Sequence, residues 1–363
     1  MDVTRRIGVI EDRRFQTHTA PDGHPEAAAR MVAVGQALSA WEKRSPGSIE
    51  RIEPRLASDE EILSVHTLDH LHRVEAAVAR APTHLDADTF VSAESLNVAL
   101  LAAGSCVDLA MHVARAELDS GFAALRPPGH HAESDRAMGF CLFNSVAITA
   151  RALQQVAGIE KVLILDWDVH HGNGSQHSFE DDPSVLYMST HQFPFYPGTG
   201  AAGEVGIDRG RGATVNIPMP PGCGDYEYIG VLTRLFAPIA IEFDPDFILI
   251  SCGFDAHQAD PLGSMQLSAA GFLGMTQIVR EVAETVCGGR IVYILEGGYS
   301  ASGLFEGTTA VLEGMLAADL ERATPPPAAA PREGSNLNQI ASLVSQAHSE
   351  TYSSISPSRS VHS

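Results

Sequence analysis

Basic residues are scarce in this chain. Only 24 Lys and Arg stand against 45 Asp and Glu in 363 residues, a formal net charge of −21. That deficit argues against nucleic-acid binding through a general basic surface. It suits cationic partners such as lysine-rich tails or polyamines, drawn in by long-range attraction. Solubility alone also accounts for an acidic surface, so charge does not choose the substrate. Cysteines number five (Cys106, Cys141, Cys223, Cys252, Cys287), scattered and without a CxxC pair. The simple reading is reduced thiols in a cytoplasmic protein. No run of about 18 apolar residues is apparent, so no membrane span is expected. The N-terminus, MDVTRRIGVIEDRRF, lacks the apolar stretch of a signal peptide. No internal repeat is visible.

Hydrophobic residues make up 44% of the chain, enough for a sizeable core, and the length allows one large α/β domain or two smaller ones. The most informative stretch is Lys161 to Gln176, KVLILDWDVHHGNGSQ. The apolar run Val162–Leu165 suits a strand buried on both faces, as in a parallel sheet. If the strand continues, period two puts Asp166, Asp168 and His170 on one face. Two carboxylates and an imidazole crowded together cost much desolvation unless something positive joins them. A divalent metal is the usual answer, and a hydrogen-bonded strand end is the bland one.

The pattern recurs. Phe247–Ile250 precedes Ser251-Cys252-Gly253-Phe254-Asp255-Ala256-His257 and Asp260. Ile291–Leu295 precedes Glu296-Gly297-Gly298-Tyr299, and Phe122–Leu125 precedes Arg126-Pro127-Pro128-Gly129-His130-His131. In open α/β sheets the ligand crevice lies outside the carboxyl ends of the strands. Four segments can therefore deliver Asp168, His170, Asp255, His130, His131 and Tyr299 to one cleft. His171 points away from His170 on such a strand and reads as structural, while His177, His191 and His257 read as residues backing the site's side chains or as hydrogen-bonded loop residues. Asp260 reads as a loop-stabilising acceptor.

Other elements follow from periodicity. Helices are expected at Glu26–Trp41, from the capping box Ser58-Asp59-Glu60-Glu61, and at Leu68–Ala79, Ser95–Ala116, Phe140–Val156, Tyr226–Ile241 and Ser268–Thr285. Short strands are expected at Arg6–Ile10, Val185–Met188 and Val215–Ile217, with a glycine-rich loop from His191 to Gly212. From Ala323 the composition turns to Pro, Ala and Ser. The reading is one domain over 1–320, with 321–363 a disordered tail apart from a short helix at Leu337–Ala347.

RPPGHHAESDRAMGFCLFN (Arg126–Asn144), DWDVHHGNG, SCGFDAHQADPLG and LEGGYS occur in that order. Together they resemble the histone deacetylase superfamily, which includes acetylpolyamine amidohydrolases and acetoin-utilisation-type proteins. The DVHHGNG form, with asparagine where class I members have aspartate, is similar to class II and bacterial members. The resemblance covers roughly residues 5 to 318 at the scale of a single domain. It implies a single open α/β domain with a mainly parallel eight-stranded sheet flanked by helices, like arginase. It also implies a cytoplasmic hydrolase acting on linear amides with one Zn2+ held by Asp168, His170 and Asp255, a set that also suits Fe2+. By the same resemblance His130 and His131 lie beside the metal, Asp166 orients His130, Asn173 partners His131, and Tyr299 hydrogen-bonds the oxyanion. Gly139, Phe140 and Tyr196 match the walls of a narrow acyl-lysine channel, although most members carry phenylalanine at the Tyr196 position. Phe140 reads equally as ordinary core. Leu262 matches the gatekeeper at the mouth, where Asp86 and Asp88 are also expected. A structural K+ near Asp166 and Ser189 is implied as well.

In such a site His131 would accept a water proton and later protonate the leaving amine. His130, beside charged Asp166, would be the more cationic of the pair. Neutral Asn173 would orient His131 without raising its pKa. The expected substrate is an acyl-lysine protein or peptide, with acetylated polyamines as the alternative. A non-catalytic acyl-lysine binder would need neither general base nor oxyanion donor, and arginase-like binuclear manganese chemistry would need more ligands. In the family, glutamate after the Asp-Pro of the third motif favours polyamines. Leu262 here favours acyl-lysine. A homo-oligomer is compatible with the sequence, and neither nucleic acid nor membrane is expected as a partner.

Overall fold

In a computed structural model of the protein, residues 5–156, 158–316 and 334–355 are described. The strands are β1 (Ile7–Ile10), β2 (Ile49–Arg51), β3 (Thr83–His84), β4 (Phe90–Val91), β5 (Ser120–Ala123), β6 (Val162–Asp166), β7 (Val185–Gln192), β8 (Thr214–Met219), β9 (Phe247–Cys252) and β10 (Ile291–Leu295). β3 and β4 form a small antiparallel pair. The other strands make one eight-stranded sheet in the order β2-β1-β5-β10-β9-β6-β7-β8. Every pairing in that sheet is parallel. The interior strands are buried along their whole length, which explains why they read as continuous apolar runs rather than alternating ones. Pro218, which cannot donate to a ladder, lies on edge strand β8.

The helices are α1 (Ala29–Arg44), α2 (Asp59–Leu63), α3 (Leu68–Val78), α4 (Ser95–Ala114), α5 (Ser145–Leu153), α6 (Asn173–Phe179), α7 (Asp225–Val231), α8 (Ala237–Phe243), α9 (Ala269–Cys287), α10 (Ala301–Leu316) and α11 (Leu337–Ala347). The capping box at Ser58 is present, its hydroxyl accepting from Glu61 N while Glu61 reaches back to Ser58 N. Parallel strands require crossovers, and these helices supply them. α4 packs against α5, β5, β10 and β1.

The structure departs from expectation at several elements. α4 is long and apolar enough, by length and composition, to cross a membrane (hydropathy 1.6), contrary to the reading that no such segment exists. It is 67% buried within the protein, the position of a core helix. The expected helix from Phe140 begins only at Ser145. Phe140 has φ +68°, which a right-handed helix cannot contain, and Asn144 caps the new start through Ala147 N. The expected helix Tyr226–Ile241 is interrupted by a π turn at Leu232–Phe236. Pro238 follows it in the first turn of α8. A proline lacks the N–H and crowds the carbonyl four residues back, and the wider turn relieves that crowding. β2 and the β3–β4 pair are too short to show in the sequence pattern.

α11 lies where the short helix was expected and packs against α7 and β8, burying Leu337, Ile340 and Val344. Beyond α11 the expected disorder is not found at Tyr352, which is buried with its hydroxyl donating to Gly212 O at 3.0 Å, or at Ile355, which is also buried; residues 321–333 and 356–363 lie outside the described residues. All five cysteines are buried and unpaired.

Candidate active site

The central strands β5, β10, β9 and β6 end on the same side of the sheet. The segments that follow them carry the reactive side chains. β6 stops at Asp166, so Asp168 and His170 stand on the loop beyond it and not on a strand face as expected. They are brought together instead by a web of carboxylate–amide contacts. Asp166 Oδ1 accepts Asp168 N at 3.2 Å, Asp168 Oδ1 accepts His170 N at 2.9 Å, and Asp255 Oδ1 accepts Val169 N at 2.8 Å. His170 Nδ1 lies 3.2 Å from Asp168 Oδ1 and 3.1 Å from Asp255 Oδ2. Ligand atoms of Asp168, His170 and Asp255 all lie within 4.8 Å of one another, a cluster that could hold a metal ion.

The β10 loop completes this wall. Gly297 N donates to Asp168 Oδ2 at 2.8 Å. A Cβ on Gly297 would fall 2.2 Å from Asp255 Oδ2, so only glycine lets the backbone come this close. Tyr299 follows. Its backbone N–H and that of Ser300 donate to Asp260 Oδ2 at 2.6 and 3.0 Å, while Asp260 Oδ1 accepts from Leu262 N at 3.0 Å. Asp260 therefore ties the Tyr299 loop to the Leu262 loop, the role read for it from sequence. Burial raises the Tyr299 phenol well above its ordinary value, over the opposing pull of Arg30, so the hydroxyl keeps its proton.

His130 and His131 stand with ring centroids 4.0 Å apart. Glu296 Oε2 accepts the amides of Gly129 and His130 at 2.6 and 3.1 Å and so shapes their turn. The two imidazoles have different partners. His130 Nδ1 donates to Asp166 Oδ2 at 3.0 Å, and His131 Nδ1 donates to Asn173 Oδ1 at 2.8 Å. Burial opposes charge on both. For His130 the carboxylates of Asp166 and Asp168 outweigh burial and push its pKa up to about 10. For His131, burial and the neighbouring His130 and His170 hold the pKa well below the ordinary value. One ring is cationic and the other neutral at neutral pH. Burial and the adjacent Asp168 raise Asp255 to about 7. Burial works against charge on His170, but hydrogen bonds and charge from Asp168 and Asp255 outweigh it and raise the ring to about 9.

A cavity of about 210 Å³ opens over these groups, lined by Asp88, His131, Gly139, Phe140, His170, Phe195, Tyr196, Leu262 and Tyr299. Phe140 crosses the Tyr299 ring edge-on at 5.8 Å, and Phe195 stacks on His170 at 5.3 Å with a 14° tilt. Tyr196 meets His131 edge-on at 5.1 Å. Gly139, at φ +55°, has no room for a Cβ, which would lie 2.5 Å from the His131 ring. Asp86 is not among the lining residues. Its Oδ1 accepts the amides of Asp88 and Thr89 at 3.1 and 2.7 Å, so it shapes the turn that carries Asp88. A short carboxylate two residues before a free N–H favours this local turn over a position on the wall.

Ser189 lies on β7 directly opposite Asp166. His191 Nε2 donates to Gly200 O at 2.8 Å, because a carbonyl only accepts. Nδ1 of the neutral ring therefore accepts from Ser189 Oγ at 2.9 Å. His171 is held by Thr199 Oγ1 and Gln176 Oε1 at 2.8 and 2.9 Å, a structural position.

Sequence reasoning missed several supporting residues. Phe195 adjoins Tyr196, and aromatic content alone could have flagged it. Glu26 and Arg30 are four residues apart, a spacing that signals pairing, and they do pair at 2.9 Å. Nothing local signals that Arg30 Nε donates to Gly298 O at 2.6 Å, that its Nη2 reaches the Glu296 carbonyl, or that its guanidinium lies 5.0 Å from the Tyr299 ring centroid. Glu133, behind Asn173, was also missed.

Comparison with known proteins bears on this geometry. Residues 24–315 match the histone deacetylase domain family. The chain is 43% identical over 315 residues to histone deacetylase 15 of Arabidopsis thaliana, covering 86% of this chain and 56% of that protein. It therefore spans little more than half the length of that relative. It is 39% identical over 314 residues to a probable deacetylase of Archaeoglobus fulgidus, covering 86% of this chain and 87% of that protein. The crystal structure of an HDA15 HD domain superposes with a TM-score of 0.87 at 39% identity over 97% of both chains.

Proposed function

The chain belongs to the histone deacetylase family, and on that premise we propose that it is a zinc-dependent amidohydrolase removing acyl groups from lysine side chains of proteins or peptides. The observation that carries this reading is the lining of the cavity of about 210 Å³. A neutral His131, the His170 of a three-residue cluster that could hold a metal ion and the protonated Tyr299 all line it. A binding module would need none of the three.

The donor set fits a divalent ion. Two carboxylates and one imidazole suit Zn2+ or Fe2+. His170 Nδ1 lies 3.1–3.2 Å from one oxygen of each aspartate, so the three residues would hold one ion between them. Such an ion supplies Lewis acidity and an acidified water. The remaining work falls to the chain. Because Asn173 Oδ1 accepts a hydrogen bond from the protonated Nδ1, His131 presents a bare Nε2 as general base and later gives the proton collected there to the leaving amine. Cationic His130 offsets negative charge developing beside it. Tyr299 donates to the tetrahedral oxyanion, and Arg30 holds the carbonyls of the loop that carries it. Phe140, Phe195 and Tyr196 exclude water along the acyl-bearing chain. A monovalent cation such as K+ belongs to the same proposal. Its support is the Ser189 hydroxyl, which donates to His191 Nδ1 and stands opposite Asp166 in the ladder.

A second reading, acetylated polyamines, is favoured by the Asp88 carboxylate in the cavity lining and opposed by the apolar Leu262 in the same lining. The test is turnover by purified, zinc-loaded and iron-loaded protein on a panel of acyl-lysine peptides and acetylpolyamines, with chelated protein as control. Peptide turnover that disappears with chelation is expected. Turnover confined to polyamines would replace the first reading by the second, and no turnover on either class would end both.

A further inference from the structure

Behind His131 and its partner Asn173 lie groups that the scheme above does not use. Asn173 Oδ1 accepts from His131, and Asn173 Nδ2 donates to Glu133 Oε1 at 2.6 Å and to His131 O at 3.2 Å. Carbonyl and carboxylate oxygens only accept. The two ends of the amide are therefore distinguished by their partners, and the oxygen must face His131. Glu133 takes the Nδ1 proton of His177 between its two oxygens, at 2.9 and 3.0 Å. Arg136 approaches Glu133 at 3.6 Å from the solvent side. Burial works against the Glu133 charge, but His177 and Asn173 outweigh it and keep the carboxyl below its ordinary range. Asn173 and His177 are four residues apart on α6 and share one of its faces. Glu133 follows His131 by two residues. One helix face and one short loop thus supply the array, and only His177 and Arg136 reach the surface.

We propose that Glu133 is a positioning residue for His131: it selects asparagine at position 173 and clamps that amide so that His131 keeps its proton on Nδ1. The inference rests on the amidohydrolase reading. Its physical content is an incompatibility. Aspartate at 173 would put an oxygen where Nδ2 now lies, 2.6 Å from Glu133 Oε1, with little water to screen the two charges. Glutamine at 133 removes the conflict. Its carbonyl can accept from Asn173, and after rotation its amide can donate to an aspartate.

The experiment is a double-mutant cycle of Asn173→Asp and Glu133→Gln, with Glu133→Ala alongside, on the full chain loaded with zinc. The expected results are a small effect for Glu133→Gln alone and a kcat loss of about 10–100-fold with little change in KM or metal content for Glu133→Ala. Asn173→Asp should lose at least as much, and most of that loss should be recovered in the double variant. A purely structural role would lower melting temperature without making the effect of Asn173→Asp depend on residue 133. Equal kcat for Asn173→Asp in both backgrounds, or wild-type kcat in Glu133→Ala, would overturn the proposal. The same cycle read as melting temperature needs no catalysis. Inactive wild-type protein would then sink the amidohydrolase reading, while additive melting shifts would sink the role of Glu133.

Discussion

Replacing Glu26 by Gln should destabilise the protein far more than the loss of one hydrogen bond. Glu26 lies in the interior between two guanidiniums. Arg126 Nε and Nη2 donate to its oxygens at 2.8 and 2.5 Å, and Arg30 Nη1 donates at 2.9 Å. All three residues are at most 3% exposed. Glutamine keeps the shape, but it removes the counter-charge and turns an N–H donor toward one arginine. Breaking a buried pair from one side costs about 3–5 kcal/mol, because the remaining charge stays buried without its partner. The unfolding entropy is roughly 2.1 cal/mol/K per residue, or about 0.8 kcal/mol/K for a chain of 363 residues. The melting temperature should therefore fall by about 4–7 °C. Calorimetry of the two proteins at pH 7.5 measures it. The pH dependence gives an independent check. Burial pushes the Glu26 carboxyl up, but Arg126 and Arg30 outweigh it and leave its folded pKa below the unfolded one. Its contribution is therefore present above the unfolded pKa of about 4.3 and is lost as pH falls. The gap between wild type and Glu26→Gln should narrow below that pH. A gap under 1 °C at pH 7.5, or one that widens in acid, would refute the reasoning.

Tyr299→Phe should lower kcat by about 10²–10³-fold, the usual cost of one oxyanion donor, with metal content unchanged in elemental analysis; near-normal turnover would remove the oxyanion role. Leu262→Glu places a carboxylate in the lining of the cavity, where a partly exposed ion pair is worth about 0.2–1 kcal/mol. It should raise the ratio of acetylpolyamine to acyl-lysine-peptide turnover, and an unchanged ratio would show that specificity is set elsewhere. Burial holds His18 and His191 down to about 4 and His66 to about 3. Their folded pKa values lie below the unfolded one of about 6.5, so the stability tied to their neutral forms is intact above that pH and lost progressively below it. Melting temperature should drop steadily between pH 6.5 and 4, and a flat profile there would contradict the assignment.

Most of the sheet was legible because strands buried on both faces must be apolar throughout, as Val162–Leu165, Phe247–Ile250 and Ile291–Leu295 are. Helix boundaries were less so. The start of α5 depends on the positive φ at Phe140 and the cap at Asn144, and the π turn depends on Pro238. Both are matters of backbone geometry that hydrophobic period does not carry. Within the site, Asp168, His170, Asp255, His130, His131 and Tyr299 were legible because each follows an apolar run and reactive groups collect at the carboxyl ends of parallel strands. Asp86 was expected at the channel mouth together with Asp88, whereas its carboxylate accepts from the backbone amides of Asp88 and Thr89.

The amino-acid sequence by itself determined the class of sheet, the reactive residues Asp168, His170 and Asp255 that gather beyond its strands, and the tandem histidines. These follow from local composition and from motif order. Tertiary structure alone decided which groups stand behind them. Arg30 reaches a loop 268 residues away in the chain. Glu133 meets Asn173 across the gap between a loop and a helix, and Phe195 stacks on His170. The division between cationic His130 and neutral His131 likewise arises from partners 36 and 42 residues distant. Such contacts join residues with no periodic relation, and burial multiplies the strength of each charge among them. Their identity can be read only once the chain has brought them together.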